Sequence, residues 1–491
     1  MTDIFVGALL FAIWGVLLFY GKAIGLSMLI FAVPITIFII KIIEKRQNDL
    51  NKKAKILVVP ITLLSSTYLI FNIFLFSALN ILVIPTLVIL MILGLYKEKF
   101  EMKFNIIKKV LSVIFKPFEH IGDAFKKSRK IFEPNKNLEE NVQKSKNLKR
   151  VLKALIVTIP VVFVILWLLS SADQIFGSIF GNITESIENF IAGIQLSTAT
   201  EILILILFSF VYFMGFFYYV SSKFQISEIK ENIEKKRDSF TIKMILVTLN
   251  VIYIIFCIIQ IKSLFMRQVN INYSEYARQG FFQLMIVSLI NLYTVLIAKK
   301  REMQDEIKTK FIKTMCLVMV VCTFIILISA TYRMYLYESA YGYTILRLLV
   351  YCILFTEAIL LVPTILYIID KKINLPITYF TIILSVYVCM NFANFDNIIA
   401  KRNVDRYIET GKIDVLYLEM GTGTDAINQI MRILDYKEIE VGIKPEVRRY
   451  LSDVHFYLES EQMDFRDFNI SKLLAKKKIS ERLEKIGELM N

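Results

Sequence analysis

Long apolar blocks alternate with short polar stretches from the start of this chain to about residue 394, after which the pattern changes. Each block is roughly 17–25 residues long, enough for a helix to cross about 30 Å of hydrocarbon. Blocks near 4–20, 23–43, 56–76, 79–95, 152–170, 200–220, 242–262, 280–298, 312–331, 344–369 and 376–394 predict about eleven spans. The first block, MTDIFVGALL onward, has no basic leader and no small-residue cleavage site, so it reads as a retained helix. The expected fold class is all-α: a polytopic integral membrane helix bundle with a small C-terminal α-helical extramembrane domain.

Polar segments add two amphipathic elements. In 104–125, Ile106, Ile107, Val110, Leu111, Ile114 and Phe118 form one stripe, with Lys108, Lys109 and Lys116 elsewhere. This predicts a basic helix with a break near Pro117, lying on anionic lipid of the inner leaflet or packed beneath the bundle. In 395–491 the pattern predicts several short helices. Asp425 is placed to cap AINQIMRIL, Pro445 to open PEVRRYLSDVHFYL, and the last segment, SKLLAKKKISERLEKIGELM, is amphipathic. The predicted layout is 1–95 for four N-terminal spans, 96–151 for a basic loop, 152–394 for a seven-helix core and 395–491 for the polar domain.

Charge sets the expected orientation. The chain carries a net +15, but Lys and Arg gather in the loops 44–55, 96–150, 221–241 and 299–311, with fifteen of them in 96–150. The alternate loop 171–199 has no Lys or Arg. Positive charge concentrates on the cytoplasmic side of a membrane protein, so this pattern argues against a nucleic-acid groove. It predicts the N-terminus inside and, with an odd number of spans, the C-terminal domain outside. Cys257, Cys316, Cys322, Cys352 and Cys389 all fall in apolar blocks and read as small hydrophobes. His120 and His455 stand in separate polar segments, so no metal site is expected.

Polar side chains inside spans must be paired, hydrated or neutralised. Glu357, Asn250 and Asn291 all count to the middle of their blocks. They form either interhelical hydrogen bonds or an intramembrane site. A second group breaks the charge rule at the outer face: Arg278, Arg333 and Arg347, with Glu275, Glu338, Asp173 and a run of tyrosines including Tyr337 nearby. Arg333 and Tyr337 are one helical turn apart. This group is either a packed polar network or a binding or catalytic cluster.

Several stretches carry a family resemblance: LLSSADQIF, YSEYARQGFFQL, LISATYRMYLYESAYGYTILRL, NIIAKRNVDRYIETGKIDVLYL and the closing DFRDFNISKLLA. Together, from about Leu152 to the C-terminus, they resemble a bacterial membrane-protein family known only as domain of unknown function 4173, related to 4153. A Tyr-Ala-Arg-x-Gly-Phe run is met by Tyr276, Ala277, Arg278, Gly280 and Phe281, and an Asn-x-x-Arg-Tyr run by Asn403, Arg406 and Tyr407. The family's Leu-Ser-x-Asp-Ala turn survives here only as Asp425 and Ala426 within GTGTDA. The resemblance implies a bacterial cytoplasmic-membrane protein with an extramembrane C-terminal domain, and no activity.

No phosphate loop, nucleophile elbow or zinc spacing marks a reaction, so the chain leans away from an enzyme and implies no cofactor. Three functions compete. The first is a sensor, assembly or interaction protein, with a protein partner at the C-terminal domain. The second is a transporter coupling ions or protons through Glu357. The third is a membrane enzyme acting on an anionic lipid or glycan at the outer face.

Overall fold

The computed structural model describes residues 1–96, 106–132, 197–223, 239–265, 281–304, 310–369, 373–435 and 443–490. Among them every regular element is helical. The chain separates into two compact units: Met1–Val58, Pro85–Lys99 and Lys103–Ile226 form one; Val59–Ile84, Phe100–Met102 and Ser227–Asn491 form the other.

The first unit contains α1 (Thr2–Phe19), α2 (Leu26–Glu44), α5 (Ile106–Phe132) and α6 (Thr198–Tyr218). Helix α1 packs on α2 and α6 through a run of rings: Phe11 meets Phe31, Phe38 and Phe217 at centroid distances of 6.2, 5.3 and 6.1 Å. Gly7 makes room for this packing, since a Cβ there would sit 2.0 Å from the Phe38 ring.

Helix α5 continues through Pro117, where a break was expected. Its buried residues, Val113, Pro117, Ala124 and Ser128, were not on the predicted stripe, of which Leu111 is exposed, and the helix packs on α6. Gly215 of α6 explains the approach: a Cβ there would stand 2.7 Å from the Pro117 carbonyl oxygen. Rings finish the contact, with Phe118 on Tyr212 and Phe125 on Phe210. Packing against a neighbouring helix holds α5 together where an isolated helix would kink at proline.

The second unit begins with α3 (Val58–Ile70), which follows a 3₁₀ turn at Lys52–Leu57, and with the first half of α4 (Phe74–Leu95). Its bundle is α7 (Ser239–Phe265), α8 (Phe281–Gln304), α9 (Lys310–Tyr341), α10 (Ile345–Ile369) and α11 (Leu375–Phe392). Helix α9 is central, packed on α7, α8 and α10 around Leu246, Val295, Met319, Ile326 and Leu354. Lys299, expected in a loop, is buried near the end of α8. Cys389 faces outward on α11, whereas Cys257, Cys316 and Cys322 are buried.

Eight helices among the described residues are long and apolar enough to cross a membrane: α1, α2, Lys52–Ile70, α4, Thr198–Ser222, α9, α10 and α11. Two shorter apolar stretches, Lys243–Ile259 and Leu284–Lys299, fall on α7 and α8, where two further spans were expected. The block 152–170 lies outside the described residues. This is a multi-pass membrane protein; against about eleven predicted spans, the described residues hold eight helices of full length.

After α11 come α12 (Phe395–Thr410), α13 (Val415–Gly421), α14 (Ile427–Ile430), α15 (Ile443–Ser460) and α16 (Ile470–Met490). They enclose a core of Ala400, Val404, Leu418, Ile427, Ile430, Leu451, Leu458 and Ile479. The predicted AINQIMRIL helix is a four-residue α14 followed by a 3₁₀ turn, Met431–Asp435. Asp425 does not cap it; its carboxylate is engaged elsewhere.

Candidate functional site

Two helices that reverse direction need a tight turn, and the α9–α10 turn supplies one at Tyr341–Thr344. Gly342 has φ +80°, a conformation that favours glycine. A Cβ there would also meet Asn403 Oδ1 at 2.6 Å. Asn403, from α12, brackets the backbone of Tyr343: the Tyr343 N–H donates to its Oδ1 and its Nδ2 donates to the Tyr343 carbonyl, both at 2.8 Å. One turn along α12, Arg406 Nη2 donates to the Ala340 carbonyl at 2.7 Å. Arg347 Nη1 donates to the Gly342 carbonyl. Ile345 N–H, at the start of α10, donates to the Tyr417 hydroxyl at 2.8 Å. Tyr407, the third member of that motif, is buried.

Arg347 also lies over the Tyr337 ring, 4.4 Å from its centroid, and 5.8 Å from that of Tyr341. Cation–π contact of this kind is worth about 0.5–2 kcal/mol. Tyr337 therefore pairs with Arg347 across the turn. Glu338 is buried and accepts from the Tyr351 hydroxyl at 2.9 Å. Burial, then the Glu338 bond, push the Tyr343 hydroxyl up to about 12. Arg333 stands half-buried on α9. Glu275, Arg278 and Asp173 lie outside the described residues. Of the predicted outer cluster, Tyr337 and Arg347 are brought together, and the C-terminal motif residues Asn403 and Arg406 join them.

A second polar assembly ties the segment after α11 to the α3–α4 link at 71–73. Asn72 N–H donates to Asp425 Oδ2 at 2.7 Å, and Asn72 Nδ2 donates to Thr424 Oγ1 at 3.3 Å. Asn394 Nδ2 reaches the other Asp425 oxygen at 3.4 Å. Gly423 N–H donates to Asp396 Oδ2 at 2.7 Å. Asn469 caps two helices: its Oδ1 accepts from Lys472 N–H at 3.0 Å, while its Nδ2 donates to the Tyr68 and Phe71 carbonyls at 2.8 and 2.9 Å. Those carbonyls belong to the end of α3, where helices have no internal partner to offer. Burial raises the pKa of Asp396 to about 6, opposed by the Gly423 bond and aided by Asp425. Burial also raises Asp425. Ile73, Phe76, Phe395 and Ile399 form the apolar floor.

The predicted intramembrane residues are all buried. Glu357 Oε2 contacts Ser288 Oγ across the α8–α10 interface. Asn291, one turn beyond Ser288 on α8, donates to Thr323 Oγ1 of α9 at 3.1 Å. Asn250 instead donates to the Met315 carbonyl at 3.0 Å. Met315 and Thr323 are eight residues apart on α9, about 12 Å of helix rise. Asn250 thus stands apart from the Glu357–Asn291 group. Among the described residues, Glu357 Oε1, Asn291 Oδ1 and Asn250 Oδ1 are buried without a hydrogen-bond partner.

The family profile described as domain of unknown function (DUF4153) matches residues 58–433. The chain belongs to the DUF4153 family. The match starts at α3, well before the Leu152 boundary of the sequence resemblance, and stops before α15 and the closing DFRDFNISKLLA. Both the α9–α10 clamp and the Asn72–Asp425 contact therefore fall within the DUF4153 region. No curated protein and no solved structure matches the chain.

Sequence reasoning missed Asn72, Asn80, Asn391, Asp396, Gly423 and Asn469. Asn80 was open to the same argument as Asn250, being polar within an apolar block. Its amide donates to Asn391 Oδ1 at 2.7 Å and accepts from the Tyr387 hydroxyl at 2.8 Å. Asn72, Asp396 and Asn469 sit at helix ends, where an Asn or Asp signals a local cap and says nothing of a distant partner.

Proposed function

We propose that this chain is a sensor, assembly or interaction protein of the bacterial cytoplasmic membrane, with residues 395–491 as an outward-facing head. The observation that carries the proposal is how the Arg and Asn groups of the α9–α10 turn are used. Asn403, Arg406 and Arg347 all direct hydrogen bonds at its backbone. An anion-binding site needs such donors turned toward a ligand; here Asn403 and Arg406 fasten the head to a helix pair, and Arg347 bonds within that pair. The head joins α9 at its Tyr341 end, opposite the end that carries Lys310 and Lys313. The positive-inside bias supports placing the Lys end in the cytoplasm and the head outside. Lysines along α5 would meet anionic lipid on the inner leaflet. The ordered motifs NIIAKRNVDRYIETGKIDVLYL and DFRDFNISKLLA support placement in the 4173 branch of the wider family.

One observation favours transport as a second function: Glu357 is buried at the middle of α10 with an unpartnered oxygen. Photo-crosslinking in cells separates the two. A photoreactive residue at Met420, Phe456 or Phe465, all exposed on the head, should give a discrete protein adduct that disappears in Asn403→Ala while the chain stays in the membrane. Absence of any protein adduct, together with a pH-driven flux in proteoliposomes that Glu357→Gln abolishes, would replace interaction with transport.

A further inference from the structure

Ser288 has one hydroxyl hydrogen and two acceptors within reach. Its Oγ lies 2.7 Å from the Met285 carbonyl oxygen, one turn back on α8, and also contacts Glu357 Oε2. One hydrogen cannot make two full bonds. If Ser288 donates to Met285, the contact with Glu357 needs its hydrogen from the other side. We propose that Glu357 is an intramembrane proton-binding site: the carboxyl is protonated in this arrangement and donates from Oε2 to Ser288 Oγ.

The surroundings agree. Glu357 is 2% exposed, and among the described residues its Oε1 has no hydrogen-bond partner. An ionised carboxylate with one oxygen unpartnered in this setting is far more costly than the carbonyl oxygen of a neutral acid. Among the described residues no charged side chain acts on the carboxyl. Helix α8 presents Ser288, Asn291 and, eleven residues from Ser288 and so about three turns away, the buried Lys299. Helix α9 presents Thr323, which donates to its own Met319 carbonyl at 2.7 Å and accepts from Asn291, with the Cys322 thiol beside it in sequence. Helix α11 presents Tyr379, which bonds to Thr364, seven residues beyond Glu357 on α10.

Proton release has a defined consequence. As the proton leaves Glu357 for a water molecule, giving hydronium and a carboxylate, the Ser288 hydrogen turns from the Met285 carbonyl to the new carboxylate. Asn291 Oδ1, buried and without a donor among the described residues one turn along α8, would accept from a water that carries the proton in or out. Transport through Glu357 would rest on this site, but a protonated acid is equally compatible with a bundle that moves nothing, so the proton itself is the quantity to measure.

Infrared spectroscopy of the full chain in lipid vesicles reads it. At neutral pH the unaltered protein should show a protonated-carboxyl carbonyl band that is missing in Glu357→Gln. The same band should move to higher frequency in Ser288→Ala, which removes the acceptor for the acid hydrogen. If Glu357→Gln fails to fold, the Ser288→Ala shift assigns the band alone. A spectrum at neutral pH with no protonated-carboxyl band sensitive to either substitution overturns the proposal. So does a Glu357-dependent carboxylate band in its place.

Discussion

Asn403 and Asn291 are both buried asparagines on helices of the same compact unit, and their side chains are used differently. Asn403 engages both polar atoms with the Tyr343 peptide. Asn291 donates to Thr323 and leaves Oδ1 without a donor. The contrast extends to their surroundings. In the head junction Asp425 accepts from Asn72 and Asn394, Asp396 from Gly423, and Asn469 bonds three backbone groups. Around α8 and α10, Glu357 and Asn291 each keep an acceptor unspent. An unmade bond on a buried group costs about 1–3 kcal/mol. Polar residues that only hold a bundle together are expected to avoid that cost, as Asn80 does with Asn391 and Tyr387. The polar groups after α11 spend their hydrogen bonds on fixed partners, whereas among the described residues the α8–α10 pair keeps acceptors unspent.

The largest expected effect tests the attachment side. In Gly423→Ala the new Cβ would stand 2.4 Å from the Asn72 carbonyl oxygen and 3.0 Å from Asp396 Oδ2. A backbone carbonyl cannot swing away as a side-chain tip can. Overpacking and the weakened Gly423–Asp396 bond together should cost about 4 kcal/mol. Hydrogen exchange should then rise across 71–73 and 415–435 while α7–α10 keep their protection. Unchanged exchange in the head would remove the Asn72 contact from any role in attachment.

Next comes acidity. The folded state raises Asp396 from 3.8 to about 6, through burial first. A carboxyl raised in the folded state contributes stability that is fully present below its unfolded value and is lost as pH rises through the folded one. Head docking should therefore be firmest below 3.8 and weaken through about 6, by at most about 3 kcal/mol, with Asp425 acting in the same direction. Thermal unfolding followed from about pH 4 to about pH 7 should show this slope. Asp396→Asn, which keeps an acceptor for Gly423 N–H, should flatten it.

The smallest effect concerns the bundle. Asn250 donates to the carbonyl and the sulfur of Met315 on α9 and, among the described residues, leaves Oδ1 unsatisfied. Asn250→Leu should shift stability by less than about 1 kcal/mol in either direction. A loss several times larger in detergent unfolding would mean that this residue has a partner the comparison overlooks.

Much of the bundle was legible because crossing a membrane is a local requirement: a run of apolar residues either reaches across or does not. The start of α10 was placed in this way, near 344, and Glu357 stood out as a lone acid in an apolar run, whereas α9 runs past its predicted end at 331 to Tyr341. Helix α5 shows where local logic stops. Its amphipathic character was readable, but the face it buries depends on Gly215 of α6 admitting the Pro117 carbonyl. Asp425 shows the same limit. A carboxylate before a short helix signals a cap, yet it bonds Asn72, 353 residues away in the chain.

Hydrophobic length and charge bias, which accumulate residue by residue along the chain, therefore established a multi-pass membrane protein, the boundaries of most of its helices and the short list of polar residues to watch. Which of those residues have spent their hydrogen bonds, and on what, was decided only by the tertiary structure. Satisfying a polar atom takes a partner within about 3 Å, and in this chain that partner commonly comes from a distant helix.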